Sequence, residues 1–358
     1  MIQFILRRFV LLIPVLIGIL IVTFVLVRAI PGDACLIRLG EKATPEKCAE
    51  FRKRYGLDDS VVVQFARYMQ NVVRGDFGVS IKDQRDIADI LAERLPMTIE
   101  LTLFATLISS IFGIALGVVA AVRHNSAIDV GSMVFANVGI SMPIFWLGLL
   151  LAYLFALTLK GTPFSLPPSA RLTAGTDLPS LLQVWHLENA VGIQRFVVVF
   201  LSNSVLLNSL IQGKFAVFID ALRHLILPSV TVATVSLAIV ARMTRGAMLD
   251  VMTQDFIRVA RAKGLIERIV VMRHAFRNAL VPIVTIIGLQ FGGLLSGAVL
   301  TETTFNLPGV GTKLVDAIFA RDYPVVQAFT IVIAVIFVVV NFVVDMSYAY
   351  LNPRIRVQ

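Results

Sequence analysis

Six long apolar runs decide what this chain can fold into. They are Phe9–Val27, Thr98–Val122, Ile128–Leu159, Ile226–Val240, Leu280–Leu300 and Val325–Tyr350. About 20 apolar residues wound as a helix cross the ~30 Å hydrocarbon core of a bilayer. No water reaches that core, so only helices or closed barrels can satisfy their backbone groups there. The mean hydropathy of +0.85 and a charged fraction of only 15% agree. The expected fold is an all-α polytopic membrane protein with six transmembrane helices. A small extracytoplasmic appendage follows the first helix, and a basic helical connection joins the fourth to the fifth.

Charge sets the sides. Arg7 and Arg8, Arg123, the 245–280 connection, and Arg354 and Arg356 all fall on one side of a six-span arrangement. An excess of Lys and Arg marks the cytoplasmic side, which places both termini in the cytoplasm. The net charge of +9 is then explained by these loops, and no nucleic-acid partner is expected. The expected organisation is 1–29 as N-terminus and first span, 30–97 as appendage, and 98–358 as a five-helix core. Within the core the spans are 98–122, 128–159, 226–245, 281–300 and 325–350. Residues 160–225 form an extracytoplasmic connection and 246–280 a cytoplasmic one. The first run is read as a retained helix, because it is longer than a signal core and no small-x-small site follows. Pro143 sits inside the third span, where neighbouring helices can satisfy the freed carbonyl. Phe196–Ile211 is short for a crossing, and a crossing there would invert the side of 245–280. It is expected to be an interfacial or packed helix.

Chemical motifs are sparse. A phosphate-binding loop needs GxxxxGK[ST], but the only Gly-Lys pair, Gly213-Lys214, is followed by Phe215. This chain therefore binds no ATP by that route. Gly139-Ile140-Ser141-Met142 lacks the second glycine of a serine nucleophile motif. His124, His186, His224 and His274 have no metal-ligand spacing, so no catalytic residue and no metal site are assigned. Cys35 and Cys48 are open to two readings, a disulfide or two thiols. Glycines four apart, Gly113 and Gly117, Gly288 and Gly292, and Gly293 and Gly297, let helix backbones approach. They serve internal packing or, in the fifth span, a translocation path. Gln290 and Asn341 lie deep enough to line a pore or to bond between helices. Arg28, Glu100, Glu302 and Asp345 fall near span ends, where they are expected to reach water.

The connection 255–282, DFIRVARAKGLIERIVVMRHAFRNALVP, holds six Lys or Arg against Asp255 and Glu267. Asp255 is expected to cap a helix that starts at Phe256. Phe256, Val259, Ala260 and Lys263 should share a face, with Arg258, Arg261 and Arg268 around it. Gly264 should break the element before a second basic helix leads into Pro282. By composition, such a helix rests on anionic lipid or docks a protein.

ARAKGL (260–265) and RHAFRNALVP (273–282) resemble the cytoplasmic loop of ABC importer permeases. More narrowly, they resemble the first permease subunit of the dipeptide/oligopeptide/nickel importers. RRFVLLIPVLIGILIVTFVLVRAIPGD (7–33), RGDFGVSI (74–81), ERLPMTIELTL (93–103), ISMPIFWLGLLL (140–151), ALRHLILPSVT (221–231), LTETTFNLPGVGTKLVDAIFARDYPVVQ (300–327) and NPRIR (352–356) are similar to family segments in the same order. The resemblance implies that the loop is a coupling helix seated on an ATPase. Its contact residues would be Asp255, Phe256, Arg258, Val259, Ala260, Arg261, Ala262, Lys263, Gly264 and Leu265. It also implies a second homologous permease, two ABC ATPase subunits that hold ATP and Mg2+, an external solute-binding protein, and a place in the bacterial inner membrane. The general importer loop begins Glu-Ala-Ala. Here Arg258-Val259-Ala260 precedes Gly264, so contacts of that Glu do not carry over. The 160–220 connection is longer than usual for the family. Expected cargo is peptides, with nickel chelates, glutathione, haem or oligosaccharides as alternatives. A stand-alone channel or a lipid-bound scaffold is the reading from a different class.

Overall fold

In the computed structural model every long element is helical, as a backbone without water requires. The structure describes residues 2–29, 35, 40, 43–54, 56 and 58–351. Arg354 and Arg356 lie outside the described residues, as do the side chains of Arg7, Arg8 and Arg28. Helix α1 (Ile2–Ala29) is followed by α2 (Pro45–Arg54) and α3 (Val61–Val73). Next come α4 (Ile87–Val122), α5 (Ala127–Ser141) and α6 (Ile144–Ala152), which continues as a wider π-wound turn, Tyr153–Thr158. The connection that follows carries α7 (Leu181–Val184), α8 (Gly192–Asn203) and α9 (Val205–Ile211). Then α10 (Phe215–Met252) leads to the short α11 (Asp255–Ala262). Helix α12 comprises Glu267–Ile269 and Arg277–Gly297, joined by π-wound Val270–Phe276. The chain ends with α13 (Val299–Thr304), α14 (Val310–Phe319) and α15 (Tyr323–Leu351).

Among the described residues four helices, α4, α10, α12 and α15, are long and apolar enough to cross a membrane, or up to six if each bent pair is one span. In α1 the described apolar stretch is Val10–Val25. Several helices outrun their apolar runs. The 36 residues of α4 extend about 54 Å, well beyond the hydrocarbon core. It begins at Ile87, inside the segment expected to be appendage. Likewise α10 starts at Phe215 and ends at Met252, where the apolar core suggested 226–245. The fifth span starts at Glu267 rather than near 280, with Pro282 inside it. Hydropathy reports the part of a helix in lipid and not where its hydrogen bonding stops.

The third span is not one rod. Helices α5 and α6 meet at 100° across Ser141–Pro143. Met142 is extended (φ −100°, ψ 139°), because the residue before proline is pushed out of the helical region. Pro143 was expected to be tolerated in a continuous helix, but here it separates two. Helices α8 and α9 are also bent, by 94° at Ser204. Val198 and Val199 of α8 and Val205 and Leu206 of α9 are buried, with α8 packed on α4 and α9 on α10.

The main contact of the bundle is α4 against α10, which run parallel, Gly113 facing Val240 and Gly117 facing Thr244. Gly113 and Gly117 make it close. A Cβ at Gly113 would stand 3.0 Å from Val240, and one at Gly117 would stand 2.6 Å from the Ala241 carbonyl. The ends of the bundle differ. One carries the 123–126 turn and α11. It is tied by Arg245, whose Nε and Nη2 each donate to the buried Asp129 carboxylate at 2.7 Å. The other is a cap built from α3, the 78–86 loop, α7–α9, α13 and α14. Cys35 and Cys48 are joined in a disulfide there, both buried.

Candidate functional site

Helix α11 lies across the end of the bundle and has two unlike faces. Ile257 is fully buried and Ala260 nearly so. They pack with Met248 and Val251 of α10 and Val270 and Val271 of α12. The outward face carries Phe256, Val259, Leu265 and Ile266, the last 71% exposed. Arg258 stands among them, paired to Asp255 at 3.3 Å on the surface. Ala260 was expected to share a face with Phe256 and Val259. It lies inside instead, because Ile257, one turn earlier, anchors the helix and takes Ala260 with it. Asp255 does not cap the helix. Gln254 holds the cap position (φ −75°, ψ 150°) with no side-chain bond, and Asp255 is the first helical residue.

Gly264 does terminate the helix, at φ +75°. Its N–H donates to the Arg261 carbonyl at 2.9 Å, and the Leu265 N–H donates to Ala260 at 3.4 Å. This is the paired-bond C-terminal motif that calls for glycine. Arg261 is engaged across the turn. Its Nε and Nη2 donate to Glu267 at 3.1 and 2.7 Å. Lys263 and Ala262 remain exposed.

In the bundle the glycines separate. A Cβ at Gly288 would meet Val344 at 2.1 Å, and one at Gly292 would meet the Phe337 ring at 2.1 Å. That pair is therefore the seat of α15. Gly293 is exposed with nothing within 4 Å, and Gly297 is the last residue of α12. Gln290 Nε2 donates to Ser236 Oγ at 3.1 Å, a bond between α12 and α10. Asn341 is half-buried on α15. Gly292→Val is expected to destabilise the protein by about 1–3 kcal/mol through overpacking, read as a lower unfolding temperature in detergent. Gly293→Val should stay within about 0.5 kcal/mol.

Two of the acids expected to reach water, Glu302 and Glu100, do not, whereas Asp345 is half-buried. Glu302 is 0% exposed. Its Oε1 accepts from Thr98 Oγ1 at 2.6 Å and its Oε2 from the Thr312 N–H at 3.0 Å. Thr98 in turn accepts from the Val310 N–H at 2.8 Å. A Cβ at Gly309 would fall 2.2 Å from this carboxyl, so the Leu307-Pro308-Gly309-Val310-Gly311 turn is folded around it. Burial pushes the Glu302 carboxyl above the usual carboxylate range. Glu100 is also buried. It accepts from Arg171 Nη2 at 2.9 Å and from the Leu206 N–H at 3.1 Å. This binds the long 160–225 connection to α4. Asp322 is buried and accepts from the N–H groups of Ile81 and Lys82 at 3.1 and 3.0 Å, and from Ser80 Oγ. Lys313 pairs with Asp83. The segments 74–81, 93–103 and 300–327 thus converge at the cap. Among the described residues there is no metal-binding cluster.

Comparison with known proteins agrees with this arrangement. Residues 113–357 match the family described as "Binding-protein-dependent transport system inner membrane component". Residues 1–102 match its N-terminal companion. The chain is 43% identical over 359 residues to a "Di/tripeptide transport system permease protein DppB" of Pseudomonas aeruginosa, covering 100% of both. It is 41% identical over 357 residues to a "Dipeptide transport system permease protein DppB" of Escherichia coli, covering 99% of both. To the "Oligopeptide transport system permease protein AppB" of Bacillus subtilis it is 36% identical, covering 99% of this chain and 100% of the relative. The chain belongs to the binding-protein-dependent permeases of ABC importers, in their DppB/OppB-like branch.

Proposed function

We propose that this chain is one of two membrane-spanning subunits of an ATP-driven importer of di- and oligopeptides. It would sit in the bacterial cytoplasmic membrane with both termini in the cytoplasm. A second homologous permease, two ABC ATPase subunits holding ATP and Mg2+, and an external solute-binding protein complete the machine. The names of the relatives support the cargo. The disulfide at the cap, which suits an oxidising compartment, and the basic opposite end support the orientation.

The observation that carries the coupling role is the two-faced α11. Its inner face is wedged between α10 and α12, and its outer face presents exposed apolar and basic side chains that no neighbour among the described residues covers. Closure of the ATPases on ATP would press that outer face. The wedge would pass the displacement to two spans at once, favouring the outward-facing state of a two-state bundle. The double substitution Phe256→Asp/Val259→Asp leaves the buried face intact. It should weaken ATPase retention through detergent extraction about 100-fold, as for an interface hot spot. Undiminished ATPase co-purification with the doubly substituted chain would refute docking and favour a lipid-bound loop.

A further inference from the structure

A cavity of about 590 Å³ lies where α1, α3, the 76–81 turn and the start of α15 meet. Nothing in the coupling role uses it. Its floor is apolar and aromatic: Phe24, Ile81, Phe77 and Tyr323. Phe24 is 2% exposed, held edge-on to Phe65 at 5.1 Å and stacked on Tyr68 at 5.9 Å. Its rim is polar and charged: Arg67 and Asn71 of α3, and Asp76 just beyond. The walls therefore run from apolar to ionic over one cavity, with both signs of charge at the mouth.

Two further observations identify the occupant. Gln327 lines the cavity and is 6% exposed, and its Nε2 has no hydrogen-bond partner. An unpaired buried donor is costly, so an acceptor is missing beside it. Below the cavity, Ile21, Val22 and Val25 of α1 are exposed apolar side chains. In a membrane protein they face lipid, so the cavity continues a surface already covered by acyl chains.

We propose that this cavity holds one resident phospholipid with a zwitterionic, primary-ammonium headgroup. An acyl chain fills the floor on Phe77 and Tyr323, both half-buried. An ester carbonyl accepts from Gln327 Nε2. The phosphate meets Arg67, whose existing surface pair with Asp59 at 2.8 Å is worth little and can be shared. The ammonium donates to Asp76, which already accepts the Gly78 N–H at 2.8 Å through Oδ1 and keeps acceptor capacity. A short peptide carries the same two charges but leaves the aromatic floor unmatched. Bound there, the lipid joins α3 of the cap to α1 and α15.

The test uses the transporter as it purifies from membranes, placed in nanodiscs of equal parts phosphatidylethanolamine, phosphatidylcholine and phosphatidylglycerol. Native mass spectrometry after partial delipidation counts what remains. One phosphatidylethanolamine should be retained per copy of this chain. It should be preferred about tenfold over phosphatidylcholine, whose quaternary ammonium cannot donate to Asp76; tenfold is the worth of one charge-assisted hydrogen bond. Asn71→Trp, which fills the mouth, should abolish retention, and Gln327→Leu should reduce it about tenfold. Absence of thiol labelling at Cys35 and Cys48 checks that the cap has folded. If Asn71→Trp fails that check, the near-isosteric Gln327→Leu gives the reading. Retention without headgroup preference, preference for phosphatidylglycerol, or retention unchanged in a folded variant would each overturn the proposal and leave annular lipid only.

Discussion

Glu302→Ala is expected to destabilise the protein by about 2–5 kcal/mol, because it orphans buried donors that cost about 1–3 kcal/mol each. The Thr312 N–H loses its acceptor and Thr98 Oγ1 loses the group it donates to. The void left beside Gly309 and Gly311 adds a cavity cost. Glu302→Gln keeps one acceptor oxygen and nearly the same shape, and should cost about half as much. The readout is the unfolding temperature in detergent together with the amount recovered from membranes. A double-mutant cycle sharpens the test. Gly309 has φ −95°, a conformation open to any residue, and the three atoms nearest to a Cβ there all belong to the Glu302 carboxyl. Gly309→Ala should be strongly destabilising alone and nearly free of cost in the Glu302→Ala background. Equal costs in both backgrounds would show that the glycine answers to something else.

Gly264→Pro is expected to abolish transport while leaving the chain inserted. Proline fixes φ near −65°, whereas Gly264 sits at +75°. It also removes the N–H that bonds to Arg261 at 2.9 Å. The α11 C-terminus would open, and the outer apolar face would be re-aimed. Gly264→Ala keeps the N–H and imposes only the left-handed penalty of about 1–2 kcal/mol, so it should lose part of the activity. Transport and ATPase activity of the assembled complex are the measurements. Full uptake by a well-expressed Gly264→Pro protein would remove the coupling role. Charge reversal at Arg261 is a poorer probe. It places two acids together at Glu267, and so disrupts the turn whether or not an ATPase docks.

The helical membrane fold was legible because hydrocarbon leaves the backbone so few choices. The apolar runs located α4, α10, α12 and α15, although their polar extensions could not be read from hydropathy. The basic connection and the stop at Gly264 were legible because both are local. The facing of α11 was not, since it depends on where Ile257 finds room between two other helices. Glu100 and Glu302 were placed in water because an acid near a span end usually is. Their partners, Arg171 and Thr98, lie 71 and 204 residues away, beyond any local pattern. The segments that hold them were nonetheless those that carried the family resemblance, and that was the available signal. The Pro143 break was misread because tolerance of proline depends on neighbours that a sequence does not show.

The clamp at Asp322 also has a consequence in time. Its carboxylate is synthesised 242 residues after Ser80. At about 5–20 residues per second the ribosome needs roughly 12–50 s to supply it. Throughout that interval the 78–86 loop has only its local bonds, such as Ser80 N–H to the Arg85 carbonyl and Ile87 N–H to the Gly78 carbonyl, and Lys313 has yet to reach Asp83. Newly made chains must therefore carry this loop without its anchor to the rest of the cap until almost their last helix emerges. A protease or chaperone at the membrane would meet that loop long before the finished protein hides it.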